Sequence, residues 1–473
     1  MVRNPRCQGI VPPYLLQQMA LHADAALAGR ARASLLLDGD HRQRRAGVLP
    51  SARPRAATHA RDDGTAPLRT ISDAHSTTTL PGDVVRAEGA APTGDAATDE
   101  AYDGLGATWA LFHDAYGRDS LDGAGLALDA TVHYGRDYDN AFWDGARMVF
   151  GDGDGTVFER FTIAVDVIGH ELTHGVTEKS AGLVYQGQSG ALNESVSDVF
   201  GSLVKQRVLG QDAASADWLI GAGLFRPGVK GVALRSMRSP GTAYDDPVLG
   251  RDPQPATMAD YVQTRDDNGG VHVNSGIPNR AFYLAATGIG GDAARGAGQV
   301  WYDVLTGGLL PPDADFATFA ALTVRAAEAR FGAATVQARA VADAWAGVGV
   351  DASSGGPSGG SSGGSSGGSS GGAPSGVVGV SRSGGLLGRS VQREVDVDEM
   401  PADRAQEWRS LLASGVLQSM TEPEPAPDRY VYRVWCVAVD LDVTAGEQQL
   451  PDHVRATLEA TLAQRSTGPD DPW

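Results

Sequence analysis

Cysteine is nearly missing from these 473 residues: only Cys7 and Cys436 are present, at opposite ends of the chain. Two such residues build no disulfide framework, so nothing in the cysteines signals an oxidising compartment. No run of 18 apolar residues occurs, which excludes a membrane-spanning helix. The opening MVRNPRCQGIVPPYLL has no proper apolar core and carries Pro12-Pro13. No classical signal peptide is read there, and the expected location is cytoplasmic, or outside by a non-classical export route. Positive charge is short as well: 39 Lys and Arg face 58 Asp and Glu, a net of −19. Such a balance argues against general nucleic-acid binding and against anchoring to anionic lipid. Apolar residues are plentiful at 42%, enough for a sizeable core. The length fits about three domains of roughly 150 residues.

Charge is unevenly spread. Residues 1–70 hold 11 Arg and 5 Asp, a net of +6, so the remainder carries −25. Their single aromatic, Tyr14, favours docking on an acidic body over base stacking. Residues 353–376, SSGGPSGGSSGGSSGGSSGGAPSG, form a flexible linker of 24 residues. Its r.m.s. span of roughly 25–30 Å lets a tail fold back on the body. Four parts are therefore expected: a pro-segment (1–73), a body (74–352), the linker (353–376) and a tail (377–473).

Within the body, 74–160 is rich in Gly, Asp and Thr with short alternating stretches, and reads as twisted strands and hairpins. From Phe161 the period lengthens. Segments 163–179, 191–208, 278–288, 294–305 and 315–348 read as helices. The fold class is α+β, a β-rich first part followed by an α-helical second part. The tail reads as a separate small α+β domain, with strands at 393–397 and 430–441 flanking a helix at 402–413.

The strongest chemical signal is His170-Glu171-Leu172-Thr173-His174. On a helix, positions i and i+4 share a face, so both imidazoles reach one Zn²⁺ and Glu171 stands beside its water. A catalytic zinc needs a third protein ligand and an open position. Glu194, in Asn193-Glu194-Ser195-Val196-Ser197-Asp198 on the next helix, is the candidate. Asp198, one turn on, is placed to accept the free ring N–H of His170. These acids fall on the apolar side of their helix, where bare carboxylates are expensive.

The stretch HELTHGVTEKSAGLVYQGQSGALNESVSDVFG closely resembles the core of thermolysin-like zinc endopeptidases, and the resemblance runs from about residue 74 to about residue 348. It implies a thermolysin-like body with the active-site helix between its two parts. Asn140-Ala141-Phe142-Trp143 matches the edge strand whose Asn side chain and Ala carbonyl hold the substrate backbone. Tyr185 and His272 match the residues that stabilise the oxyanion, and Asp267 the residue that orients that His. Arg235 matches the arginine that binds a substrate carbonyl and braces the zinc glutamate. The resemblance sets Phe158, Phe161, Val167, Ile220, Leu224 and Leu234 around the pocket for the residue after the cut. All six are apolar, which implies cleavage before bulky apolar residues.

At the family's paired calcium site this chain keeps Asp166 and Asp217 but has Lys205 and Ala222 in place of two acids. Lys does not ligate Ca²⁺, so the paired site is expected to be absent, with the Lys205 ammonium as counter-charge; calcium elsewhere stays open. The piece CQGIVPPYLL (7–16) resembles the short propeptides of the protealysin subgroup, with processing expected near 72–75. Cys7 either caps the zinc as a thiolate or docks as a small apolar side chain. In the tail, SRSGG (381–385), PDRYVYRV (427–434) and LPDHV (450–454) resemble emfourin, a small inhibitor of this peptidase class. Partners expected are peptide or protein substrates, the pro-segment and the tail, in a monomer. The rival reading is a silenced peptidase body that binds partners through its tail.

Overall fold

The computed structural model describes residues 8–47, 66–353 and, in the tail, 377–384, 391–397, 430–436, 441–447, 452–462 and single positions between them. Cys7 and most of the linker lie outside the described residues. The chain separates into two units, Met1–Ser358 and Gly359–Trp473.

The first unit opens with a two-residue strand β1 (Gln8–Gly9) and helices α1 (Pro13–Ala20) and α2 (Ala25–Gly47). Strands β2 (Arg69–Asp73), β3 (Asp83–Ala87), β4 (Leu128–Val132), β5 (Ala141–Trp143) and β6 (Arg147–Phe150) complete a six-stranded sheet of order β1-β5-β6-β4-β2-β3. The N-terminal segment thus enters the body's own sheet, with Gln8 opposite Trp143 and Gly9 opposite Phe142.

The strand reading of 74–160 misses α3 (Ala96–Tyr116). Asp95 caps it by accepting from Thr98 N, and Gly117 ends it in the left-handed region. Its glycines disguised it. Gly104 is where the helix meets the body: a Cβ there would stand 2.3 Å from Ile168 Cδ1.

Helices α4 (Val165–Glu178), α5 (Gly187–Leu209), α6 (Asp267–Asn274), α7 (Gly276–Ile289), α8 (Ala297–Thr306), α9 (Phe316–Phe331) and α10 (Val336–Gly347) form the second half. The expected segment 315–348 is two helices, not one. Gly332, at φ +94°, ends α9, and Thr335 caps α10 by accepting from Ala338 N. Between α5 and α6 a short ladder joins β7 (Leu219–Ile220) to β8 (Arg235–Ser236).

The expected processing point, 72–75, meets an obstacle. Strand β2 pairs with β4 on one side and β3 on the other, and Ile71, Ser72 and Ala74 are buried. A cut inside it would fall in an interior strand, between its two neighbours β3 and β4.

In the tail, antiparallel strands lie in the order 391–396, 377–384, 430–436, 441–446, and helix Asp452–Leu462 contributes Val454 and Leu458 to its core. The expected single strand 430–441 is therefore two. The first strand and the last helix were not foreseen. Within 402–413, the described positions Arg404, Ala405, Trp408, Leu411 and Leu412 are helical.

Candidate active site

Helices α4 and α5 meet through glycine. A Cβ on Gly201 would stand 2.3 Å from the Asp166 carbonyl oxygen, and one on Gly169 would stand 3.0 Å from Gly201 Cα. That approach brings the α4 imidazoles to the α5 carboxylates. His170 Nε2 and His174 Nε2 are 3.1 Å apart; Glu194 Oε2 is 3.5 Å from the first and Oε1 3.5 Å from the second. All three side chains are buried, and they are a group able to hold a metal ion.

The outer ring nitrogens fix the tautomers. His170 Nδ1 is 2.8 Å from Asp198 Oδ1. His174 Nδ1 is 2.8 Å from Asn193 Oδ1, and Asn193 Nδ2 donates to the Leu183 carbonyl, which orients the amide. Both Nδ1 atoms therefore carry hydrogen and both Nε2 lone pairs face one another. Glu194 Oε2, also turned inward, has no hydrogen-bond partner. Three buried acceptors around one point, unable to bond each other, call for a cation, and the N₂O donor set suits Zn²⁺. Asp198 is clamped by Arg235, with Nε to Oδ2 at 2.8 Å and Nη2 to Oδ1 at 2.7 Å, and by Asn279 Nδ2 at 2.8 Å. Burial raises its carboxyl, but Arg235 and His170 outweigh that and hold it well below the carboxylate range.

Glu171 is fully buried, and its Oε2 accepts from Trp143 N at 3.0 Å. Burial and then the Glu194 charge push its carboxyl well above the usual range. Tyr185 OH donates to Glu194 Oε1 and lies 3.2 Å from His272 Nε2. His272 hangs on the start of α6, where Asp267, Asn268, Gly269 and Gly270 all have positive φ. The resulting curl lets Asp267 accept from His272 N at 2.9 Å and meet its Nδ1 at 2.7 Å. Burial opposes charge on this ring, yet Asp267 and Glu194 outweigh it and push its pKa up to about 9.

A peptide already lies along this group. Ile10 N donates to Ala141 O at 3.1 Å and Val11 N to Asn140 Oδ1 at 3.0 Å. Arg235 Nη1 donates to Ile10 O at 3.0 Å. A Cβ on Gly9 would stand 2.7 Å from Asn140 Nδ2, so the segment approaches as closely as only glycine allows. Behind it, α2 seats Asp38, which accepts from Tyr138 OH at 2.5 Å and Asn140 Nδ2 at 3.0 Å, while His41 Nε2 meets Tyr134 OH at 2.9 Å.

The six apolar candidates are all buried in the same core cluster as Ile10. Phe158 and Phe161 stack at 5.6 Å, Ile220 stands opposite Arg235, and Leu224 and Leu234 meet over Gly221; Val167 lies on α4. Away from the cleft, Lys205 Nζ lies 3.0 Å from Asp166 Oδ2, 2.9 Å from Asp217 Oδ1 and 2.5 Å from the Leu219 carbonyl oxygen. Sequence reasoning missed Asn193, Asn279, Gln254, whose Nε2 donates to His272 O at 2.8 Å, and Asp38. Of these only Asn193 had a legible signal, its place beside Glu194.

Comparison with known proteins agrees in kind. The family model described as thermolysin metallopeptidase, catalytic domain, matches residues 55–178, and the one for the alpha-helical domain matches 181–350. The emfourin model matches 380–462. The chain is 52% identical over 351 residues to an extracellular metalloprotease of Pectobacterium carotovorum subsp. carotovorum, covering 74% of this chain and 98% of that one. It is 45% identical over 357 residues to protease PrtS of Photorhabdus sp. (strain Az29), covering 74% and 94%. Among solved structures, the precursor of protealysin, a metalloproteinase from Serratia proteamaculans, aligns with a TM-score of 0.66 and 54% identity over 72% of this chain and 99% of that chain.

Proposed function

From the premise that this chain belongs to the thermolysin family of metallopeptidases and is a zinc endopeptidase, we propose that it cuts before bulky apolar residues, that its first 47 residues keep it latent, and that its tail restrains it after processing. His170, His174 and Glu194 would hold the zinc. When bound, zinc supplies the Lewis acidity that polarises the scissile carbonyl and acidifies the attacking water. Asn140, the Ala141 carbonyl and Arg235 hold the substrate backbone extended, in the manner of Ile10 and Val11. Glu171, steadied by Trp143 N, takes the water's proton and delivers it to the leaving nitrogen. Tyr185 and His272 donate to the oxygen that gains charge, and Asp267 keeps the His272 ring turned toward it.

The observation that carries this reading is the strand-like seating of residues 8–11 on Ala141, Asn140 and Arg235. It supports a cleft built for extended peptide, with the apolar Ile10 at the position after the cut. The same contacts support latency, because a segment so held excludes substrate. We put the processing cut before Arg69. The complete set of chemical residues counts against a silenced body. The Lys205 ammonium between Asp166 and Asp217 supports the absence of a paired calcium site. A direct test is casein hydrolysis by a chain ending at residue 352, free of the tail, before and after removal of its first 68 residues, with a chelator and then zinc. Activity that appears on removal, vanishes with chelator and returns with zinc is expected. Equal activity before and after removal would overturn the latency.

A further inference from the structure

Asp139, next to Asn140, is fully buried, and apart from the Asp154 backbone N–H, which bears on its carboxyl, its carboxylate oxygens have no hydrogen-bond partner. A bare carboxylate taken from water is costly unless a cation answers it. Asp154, in the glycine-rich loop 151–155, is its neighbour, and burial followed by the Asp154 charge pushes the Asp139 carboxyl well above the usual range. Asp154 spends Oδ1 on the backbone N–H groups of Thr156, Val157 and Phe158 and leaves Oδ2 unbonded. Arg30 of α2 faces this pair. Its Nε is 3.4 Å from Asp154 Oδ2, its Nη2 donates to Thr156 Oγ1 at 3.1 Å, and its charge acts on Asp139. Arg30 belongs to the pro-segment, so the answering cation departs when that segment does.

The pairing register says what replaces it. Gln8 stands opposite Trp143 and Gly9 opposite Phe142, Ile10 N donates to the Ala141 carbonyl and Val11 N to the Asn140 side chain, and the same alignment continued past the end of β5 reaches Asp139. The pro-segment then leaves the register at Pro12, where α1 begins. A substrate that stays extended instead sets its next residue opposite Asp139. Directly opposed residues of antiparallel strands project side chains to the same face. With the cut before the Ile10 position, that residue is the third after the cut.

We propose that Asp139 and Asp154 form a subsite of the processed enzyme for a basic side chain, Lys or Arg, on the third residue after the cut, and that Arg30 fills this subsite in the precursor. The proposal rests on the peptidase reading above and on its chain direction. A long cationic stem suits the place: its methylenes lie along the strand while its head reaches two carboxylates that share few other donors.

The test uses processed enzyme ending at residue 352, so that the tail does not compete for the cleft, and three quenched fluorescent peptides. They share an apolar residue after the cut and differ only in the third residue: Arg, Ala or Glu. The Arg peptide is expected to exceed the Glu peptide in kcat/KM by about 5- to 20-fold, the size of a partly exposed ion pair gained in one and repelled in the other. Asp139→Asn should bring the two within about twofold, and Asp139→Lys should invert the order. Salt at 0.5 M should shrink the wild-type ratio, a measurement that stands even if a variant fails to fold. Equal rates for Arg and Glu peptides in the wild type, or a preference that survives both Asp139→Asn and salt, would overturn the subsite. Failure to cut even the Ala peptide would instead overturn the peptidase reading on which it rests.

Discussion

Glu171 is not one of the three candidate metal ligands and is held by the Trp143 amide. Glu171→Ala is therefore expected to keep zinc in stoichiometric amount while losing about 10²- to 10⁴-fold in kcat, the usual worth of a proton shuttle. His174→Ala and Glu194→Ala should lose the zinc itself. Metal analysis beside casein hydrolysis separates the two classes, and a substantially active Glu171→Ala protein would refute the role. A second residue ties pH to stability. His133 Nδ1 lies 2.9 Å from Asp152 Oδ2, and Nε2 reaches Asp95, the cap of α3. The Asp152 hydrogen bond, against partial burial, pushes its pKa up to about 9 from 6.5. A pKa raised by folding gives stability that is complete below about pH 6.5 and fades as pH climbs through about 9. His133→Asn, which tolerates the φ of +53°, should cost on the order of 1 kcal/mol at pH 6, the half-exposed site being screened. That cost should vanish by pH 10, as denaturant unfolding in a Glu171→Ala background would show; a cost independent of pH would refute the pairing.

At the scale of elements, the α4–α5 contact sets the geometry of the centre. Gly201→Ala places a methyl where the Asp166 carbonyl already stands. Overpacking of this kind costs about 1–3 kcal/mol, and here it also drives the α5 carboxylate away from the α4 imidazoles. Thermal unfolding and zinc affinity should both fall; a fall in neither would mean the helices meet otherwise. The neighbouring ammonium makes a further prediction. Lys205→Met strands the buried Asp166 without a counter-charge and should cost about 3–5 kcal/mol. Added Ca²⁺ should recover part of that loss in the variant and do nothing to the wild type at this site. Which parts were legible in sequence follows from the same contacts. The His-x-x-x-His face and the Glu194–Asp198 turn are local, so spacing alone reveals them. Helix α3 was not, because Gly104 reads as a breaker until Ile168, far along the chain, explains it. Nor was the place of β2, whose neighbours β3 and β4 set it inside the sheet: register between strands about 60 residues apart leaves no local pattern. Asn279 and Gln254 escaped for that reason too, since each reaches the site from a distant segment.

Across the whole molecule, the 24-residue Gly/Ser tether links the peptidase unit to a tail matched by the emfourin model. A tether of this length gives an effective concentration on the order of millimolar. An inhibitor of even micromolar constant would then leave only about a thousandth of the clefts free. The processed enzyme with its tail should be about 10²- to 10³-fold less active than one ending at 352, and cutting the linker should restore it. Inhibition unchanged on dilution marks action within one chain, whereas inhibition that fades marks action between chains; equal activity with and without the tail removes the inhibitory role. The pairing of β1 with β5 has a wider consequence. Once β1 departs, β5 is an open row of backbone donors and acceptors, and anything that binds there must lend a straight stretch of its own main chain. A helix or a tight turn has none to lend, because its amides are already spent. Before any side chain is read, such a cleft is expected to sort proteins by their looseness, taking frayed ends, long loops and damaged chains ahead of a well-folded neighbour of equally suitable sequence.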